Sequence, residues 1–144
     1  MPILSKLDLC RLIPHEGSMC LIDSVQEWDP VEIRCLTRSH LDTKNPLRRD
    51  ERLESLCGLE YAAQVMAIHI GLLASPIWSG PRIGYIGAIR DCTLHREYLD
   101  DVSSDLEIHA MQLFAQEHSV IYSFSLSGDD GQHLSGRASL FLKR

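Results

Sequence analysis

A long apolar segment in the middle of the chain constrains the fold more than any other feature. Residues 56–73, LCGLEYAAQVMAIHIGLL, include thirteen apolar or aromatic residues, two glycines and only three strongly polar residues. Leucine, alanine, methionine and glutamine favour a helix over a strand, and the lack of a wide polar face predicts burial on nearly all sides. We therefore predict a central helix at about residues 54–74. At about 1.5 Å per residue the apolar segment is ~27 Å long, so the rest of the chain must wrap around it.

Length, charge and the chain start indicate a soluble single-domain protein. The 144 residues suit one domain, 1–144. Glu60 and His69 would be costly in lipid, so no membrane association is predicted. The net charge of -6 and the lack of a basic stripe argue against nucleic-acid binding. The first residues lack the basic start and long apolar run of a signal peptide, which predicts a cytoplasmic protein.

The cysteines of this chain form no motif. There are five of them: Cys10, Cys20, Cys35, Cys57 and Cys92. No CxxC pair and no Cys/His spacing typical of a zinc site is present, so no metal site is predicted. An odd number without regular spacing also argues against a disulfide framework. We therefore expect five reduced thiols, most of them buried.

Six segments around the central helix alternate as β-strands do, and their order indicates the fold. They are residues 20–28, 31–39, 83–95, 105–116, 119–127 and 134–143. A short helix over residues 4–13 precedes them, and GDDG at residues 128–131 predicts a hairpin loop. A slip in the apolar phase between Ala110 and Met111 predicts a bulge. The order of short helix, two strands, long helix and four strands predicts an α+β hotdog fold, a curled antiparallel sheet wrapped around one long buried central helix.

Four stretches carry a resemblance to a known family. LIPH at residues 12–15 and CLID at residues 20–23 are similar to the LxPHxxPxLLxD stretch of bacterial 3-hydroxyacyl-acyl-carrier-protein dehydratases. GLEYAAQ at residues 58–64 and GYIGAIRD at residues 84–91 resemble the start of their central helix and the strand that follows. The strongest resemblance is to a divergent hotdog subgroup associated with aryl polyene pigment clusters, with its GIEYxAQ and GxLGAxRDVxLH stretches.

This resemblance implies a dimer whose two sheets join and whose active sites lie at the interface. The substrate is expected on the phosphopantetheine arm of an acyl carrier protein, and no cofactor is expected. In ordinary members a histidine of one subunit and a carboxylate on the central helix of the other remove water, and Glu60 matches that carboxylate. The histidine does not carry over, because its GHFPGxPxxPG segment is replaced by DTKNPL at residues 42–47, with Asn45 near the expected place.

Glu60 is the leading catalytic candidate, because a lone carboxylate in an apolar helix is suited to proton transfer. The alternative is that it faces solvent or pairs with an arginine. Gln64 lies one turn further along the same helix face and could orient the Glu60 carboxylate or bind a substrate carbonyl. The alternative for Gln64 is an amide bonded to the partner chain.

One histidine, one asparagine and two glycines complete the predicted site. His15 is a second catalytic candidate, a base near the tunnel mouth, although a loop histidine more often bonds its own backbone. Asn45 could donate a hydrogen bond to a thioester carbonyl, but Asn-Pro is also an ordinary turn. The matched motifs add Gly58 and Gly87 to the predicted substrate-binding residues.

Three functions are compatible with these residues. The first is a 3-hydroxyacyl-carrier-protein dehydratase, or a subunit of one, in the fatty-acid- or polyketide-like synthesis of aryl polyenes, with Glu60 as acid or as acid and base by turns. The second is a catalytically weak partner subunit of a heteromeric dehydratase, because only one catalytic group is identified. The third is a hotdog acyl thioesterase, in which a helix carboxylate activates water or attacks the thioester. A homodimer and a heterodimer with a paralogous dehydratase both fit the sequence.

Overall fold

The predicted apolar helix lies at the centre of the structure. The computed structural model describes residues 4–13, 19–73 and 82–143, without the side chains of residues 82–85 and 143. A 3₁₀ turn at Ser55–Cys57 leads into helix α2, Gly58–Leu73, close to the predicted bounds of 54–74. By length and composition residues 55–73 would suffice to cross a membrane, but half of that stretch is buried inside the fold. The apolar character of α2 is therefore explained by its packing within the domain.

Six antiparallel strands form one sheet in the described residues. Their bounds are β1, Ser24–Trp28; β2, Glu32–Thr37; β3, Arg82–Leu94; β4, Leu106–Ala115; β5, Ser119–Gly128; and β6, Gly131–Lys143. Their order across the sheet is β1-β2-β4-β5-β6-β3, so β3 crosses to the far edge and pairs with β6. A one-turn helix, α1 (Lys6–Leu9), and a 3₁₀ turn (Cys10–Leu12) precede the sheet. The predicted α+β hotdog fold, a sheet around one long helix, is confirmed.

The inner face of the sheet packs on α2 because alternate residues of its strands are apolar. Four alternate residues of β5 are buried: Val120, Tyr122, Phe124 and Leu126. Gly58 allows the start of α2 to approach this face closely. A Cβ atom added there would lie 2.7 Å from a methyl carbon of Leu134 and 3.0 Å from one of Leu126. The helix entry is therefore packed without room for a side chain.

The predicted hairpin is present between β5 and β6, whereas the predicted irregularity in β4 lies at a different position. The GDDG loop forms the predicted hairpin between β5 and β6, in which Gly128 pairs with Gly131. Gly131 has a φ of +118°, in the left-handed region that favours glycine. The irregularity predicted after Ala110 lies further along β4, where the register against β5 shifts between Gln112 and Phe114. The change of apolar phase therefore indicated the bulge but not its position.

Two cysteines contradict the expectation of five reduced thiols. Cys10, in the 3₁₀ turn after α1, and Cys20, in the segment before β1, form a disulfide, with their Cα atoms 5.9 Å apart. Cys35, Cys57 and Cys92 are free. The bonded pair lies ten positions apart in the chain and belongs to no spacing motif. Its formation depends on how the fold brings two segments together, which cysteine spacing alone does not report.

Candidate active site

Glu60 lies in the first turn of α2 and is half-buried. Its Oε1 accepts a hydrogen bond from Nε2 of Gln64 at 3.3 Å. Residues four positions apart on a helix lie on the same face, and this spacing brings the two side chains together. The contact places the Gln64 amide where it can orient the Glu60 carboxylate, and the catalytic roles of both residues stay predictions.

The Gln64 amide also joins α2 to the segment that precedes β1. Its Oε1 accepts a hydrogen bond from the backbone N–H of Leu21 at 2.8 Å, and its Nε2 donates to the carbonyl of Met19 at 2.6 Å. Gln64 is only 2% exposed, and its bond to Leu21 is buried while its bond to Met19 is partly buried, so little water competes for the amide. Gln64 therefore bonds to one backbone segment and to the Glu60 carboxylate with a single buried amide.

The same segment is held from its other side by two hydroxyl groups. The carbonyl of Leu21 accepts hydrogen bonds from Oγ1 of Thr37 at 2.5 Å and from Oγ of Ser39 at 2.6 Å. The Ser39 hydroxyl is in turn 2.9 Å from the hydroxyl of Tyr61, the residue that follows Glu60 on α2. Leu21 is therefore fixed to α2 through its N–H and, indirectly, through its carbonyl.

Tyr61 is fully buried, and its hydroxyl group is neutral at physiological pH. Burial raises its pKa to about 12, although hydrogen bonds with Ser39 and Asn45 act in the opposite direction. The Tyr61 oxygen accepts a hydrogen bond from Nδ2 of Asn45 at 2.9 Å. A neutral phenol that accepts one bond still has its own O–H to donate.

Asn45 is occupied by bonds within the protein. Its Nδ2 donates to the carbonyl of Ser39 at 2.8 Å and to the Tyr61 hydroxyl, and its Oδ1 accepts from the N–H of Leu47 at 2.9 Å. Asn45 is 6% exposed. Both of its N–H bonds therefore point at protein oxygens, and its predicted contact with a thioester stays a prediction.

Two buried histidines of the described chain form bonds away from Glu60. Nε2 of His40 donates to the carbonyls of Val102 and Ser104 at 3.1 and 3.0 Å. His69 lies near the other end of α2, where its Nε2 donates to the carbonyl of Asp29 at 2.7 Å and its Nδ1 accepts from the Tyr122 hydroxyl at 2.6 Å. Burial lowers the pKa of both imidazoles.

The two predicted glycines lie at closely packed positions. Gly58 is at the buried entry of α2, and its N–H donates to the carbonyls of Ser55 and Leu56. Gly87 is in β3, and a side chain there would overlap the ring of Phe141. Close packing therefore explains why each position is occupied by a glycine. The predicted contact of both glycines with substrate is untested.

His15, the other predicted catalytic residue, lies outside the described residues. In the part of the chain that is described, no group of three or more His, Cys, Asp or Glu side chains could hold a metal ion. Glu60 and Gln64 bring together a carboxylate, which is able to transfer a proton, and an amide that bonds to it.

The hydrogen-bonded set around Leu21 was missed at the sequence level. Its partners are far apart in the chain: Gln64 and Leu21 are 43 positions apart, and Tyr61 and Ser39 are 22 apart. One signal was present, because a tyrosine inside an apolar helix needs a hydrogen-bond partner for its hydroxyl once it is buried.

Comparison with known proteins places these residues in a family. A family profile described as ApeP dehydratase, of the ApeP-like group, matches residues 7–143. The chain belongs to the ApeP-like dehydratase family. Its resemblance to the dehydratases of aryl polyene clusters is thereby confirmed. A comparison with curated protein sequences gave no match.

Solved structures similar to this ApeP-like chain share its fold at low sequence identity. The dehydratase heterocomplex ApeI:P from Xenorhabdus doucetiae matches with a TM-score of 0.81 and 17% identity, over 100% of this chain and 92% of that one. A mutant thioesterase from Pseudomonas aeruginosa matches with a TM-score of 0.69 and 14% identity, over 97% and 94% of the two chains. Zebrafish thioesterase superfamily member 2 matches with a TM-score of 0.64 and 13% identity, over 97% and 99%. Dehydratases and thioesterases thus share this architecture, so the fold alone does not separate the two reactions.

Proposed function

We propose that this chain is a subunit of a dehydratase that removes water from a 3-hydroxyacyl thioester carried by an acyl carrier protein, in aryl polyene synthesis. The observation that most supports this proposal is the contact between Glu60 and Gln64 at the start of the central helix of an ApeP-like chain. The hydrogen bond from the Gln64 amide orients the Glu60 carboxylate, which is the group that exchanges the proton. Holding a reacting group in the right orientation can contribute much of the rate enhancement of an enzyme. A cytoplasmic location fits a reaction on an acyl carrier protein.

The reaction removes a proton from C2 and the hydroxyl group from C3 of the acyl chain, and it forms a C2=C3 double bond conjugated with the thioester carbonyl. We assign to Glu60 the proton that joins the leaving hydroxyl to form water. A second group accepts the C2 proton. His15 is the candidate base of this chain, on the resemblance of LIPH to the dehydratase motif, and a base from a partner chain is the alternative.

The partner chain is proposed to join the sheet along β3. Strand β3 is an edge of the described sheet, with β6 on one side and no strand on the other. Ile86 and Leu94 on this strand are 37% and 50% exposed. An exposed edge with apolar side chains is suited to pairing with another chain. One structural relative is a dehydratase heterocomplex, which favours a second dehydratase subunit over a second copy of this chain.

The test measures dehydration and thiol release with one substrate, a 3-hydroxyacyl group on an acyl carrier protein. The chain is assayed alone and together with the paralogous dehydratase subunit proposed as its partner. Glu60→Gln should abolish formation of the conjugated enoyl product, whereas Glu54→Gln, which changes an exposed carboxylate just before α2, should leave the rate unchanged. His15→Gln distinguishes a base within this chain from a base in the partner.

Each result assigns one of the candidate functions. Full activity of the Glu60→Gln variant would overturn the proposed role of Glu60. Release of free thiol without enoyl product would identify a thioesterase instead. Activity only in the presence of the second subunit, lost on Glu60→Gln, would establish a heteromeric dehydratase to which this chain supplies the acid. Activity of the mixture that survives Glu60→Gln would reduce this chain to a structural partner.

A further inference from the structure

Tyr61 follows Glu60 on α2, but its side chain lies in the core and is connected to Glu60 through the hydrogen bonds of other residues. It is fully buried, and its hydroxyl group contacts Ser39 and Asn45 rather than Glu60. We propose that Tyr61 is a positioning residue of the dehydratase site, which fixes Leu21 so that Gln64 presents a rigid amide to Glu60. This inference rests on the proposed role of Glu60.

The protons of the connecting hydrogen bonds can be placed from their partners. Nδ2 of Asn45 carries the hydrogen of its bond to the Tyr61 oxygen. The Ser39 hydroxyl donates to the carbonyl of Leu21, because a carbonyl oxygen only accepts. Of the bond between the two hydroxyl groups, the Tyr61 O–H is therefore the donor and the Ser39 oxygen the acceptor. The bonds run in one direction from Asn45 through Tyr61 and Ser39 to Leu21.

The second half of the connection runs from Leu21 to the carboxylate. The N–H of Leu21 donates to Oε1 of Gln64, and Nε2 of the same amide donates to Glu60. The Leu21 carbonyl is thus bonded to Ser39, which also bonds to Tyr61. The Leu21 N–H is bonded to Gln64, which also bonds to Glu60. The bonds from Asn45 to Tyr61 and from Leu21 to Gln64 are buried, and the other three bonds are partly buried. Because water competes little for the buried partners, loss of one link is transmitted to the next.

The Tyr61 hydroxyl also has a purely structural value, which the test must separate from positioning. Removing it leaves a Ser39 oxygen and an Asn45 N–H without their buried partner, and this alone destabilises the protein. The chain offers a matched control in Tyr122, which is also fully buried and whose hydroxyl bonds to His69 and Gln112 near the other end of α2.

The variants Tyr61→Phe and Tyr122→Phe are compared in the assembly that supports turnover. Tyr61→Phe should lower kcat about tenfold and change KM less than about twofold, because it disorders the acid without removing substrate contacts. Tyr122→Phe should lower the unfolding temperature by a comparable amount and leave kcat unchanged. An equal effect of both variants on kcat would overturn the positioning role.

A second readout does not depend on turnover. In the full-length protein, the NMR signals of the Gln64 side-chain amide and the Leu21 backbone N–H should shift in Tyr61→Phe and stay in place in Tyr122→Phe. If Tyr61→Phe fails to fold, Ser39→Ala removes the same connection one step nearer to Leu21 and should shift the same signals. If the signals move in neither Tyr61→Phe nor Ser39→Ala, the inference is wrong.

The two readouts also separate this inference from the proposed function. If Glu60→Gln retains dehydration, the proposed acid is wrong, while the NMR shifts still decide whether Tyr61 positions Gln64. In a cycle of Tyr61→Phe and Ser39→Ala, the double variant should lose no more kcat than the worse single variant, because both break one connection. Losses of kcat that multiply would show that the two residues act separately and would contradict the inference.

Discussion

Removal of the Cys10–Cys20 disulfide should destabilise the protein by an amount that follows from its position. The two residues are ten positions apart, so the bond closes a short covalent loop in the unfolded chain. For a loop of about ten residues, the entropy lost by the unfolded state is about 9 cal/mol/K, which stabilises the fold by about 3 kcal/mol at 25 °C. At about 3 °C per kcal/mol for a domain of this size, the unfolding temperature should fall by about 10 °C.

The perturbation is best made in two ways, by a double variant and by reduction. Cys10→Ala combined with Cys20→Ala removes the bond, and dithiothreitol removes it from the wild type by passing two electrons and two protons to the two sulfurs. Free energies of unfolding come from urea titration, and thiol counts from a colorimetric reagent in denaturant. The wild type should show three free thiols before reduction and five after it.

The controls isolate the covalent bond from the loss of the sulfur atoms. Cys35→Ala removes a buried free thiol and should cost about 1 kcal/mol, with no dependence on reductant beyond that of the wild type. The double variant should not respond to dithiothreitol at all. Five free thiols in the air-oxidised wild type, or a double variant within about 1 kcal/mol of it, would refute the reasoning.

Two further predictions concern the protein's response to acid and the packing of α2. Burial lowers the pKa of His40 and His69 below 6.5, so both imidazoles bind protons less readily in the fold than in the unfolded chain. The stability that this contributes is complete above about pH 6.5 and is lost as the pH falls. Urea should therefore unfold the protein more easily at about pH 5.5 than at about pH 7.5, and equal stability would contradict the assignment. Gly58→Val would push methyl groups against Leu126 and Leu134 and should cost about 2–3 kcal/mol in the same titration; an unchanged midpoint would mean that the helix entry has room for a side chain.

The parts of the fold that could be predicted are those that depend on local patterns of apolar and polar residues. The continuous apolar run gave α2, and period-two alternation gave the segments that became the six strands, because both patterns report which residues must face a core. Strand order is not local. Nothing in the alternation of residues 82–94 says that this strand pairs with β6 at the far edge of the sheet.

The candidate site was predictable only as far as helix geometry reaches. Glu60 and Gln64 were placed together because they are one helical turn apart, and their contact is present. The other partners of Gln64, and those of Tyr61, lie on segments outside α2 whose approach depends on the whole fold. The Cys10–Cys20 bond escaped prediction for the same reason, since scattered cysteines carry no spacing signal.

The position of β3 beside β6 also fixes an order of assembly during protein synthesis. Strand β3 leaves the ribosome directly after α2, but its hydrogen-bonded neighbour in the described sheet is the most C-terminal strand. Until β6 emerges, β3 lacks its neighbour in the described sheet, and the apolar surface of α2 is incompletely covered. Nascent chains with such exposed surface and unpaired edges are the species that aggregate or recruit chaperones. Ribosome-bound chains that end before β6 are therefore the form of this protein most in need of protection.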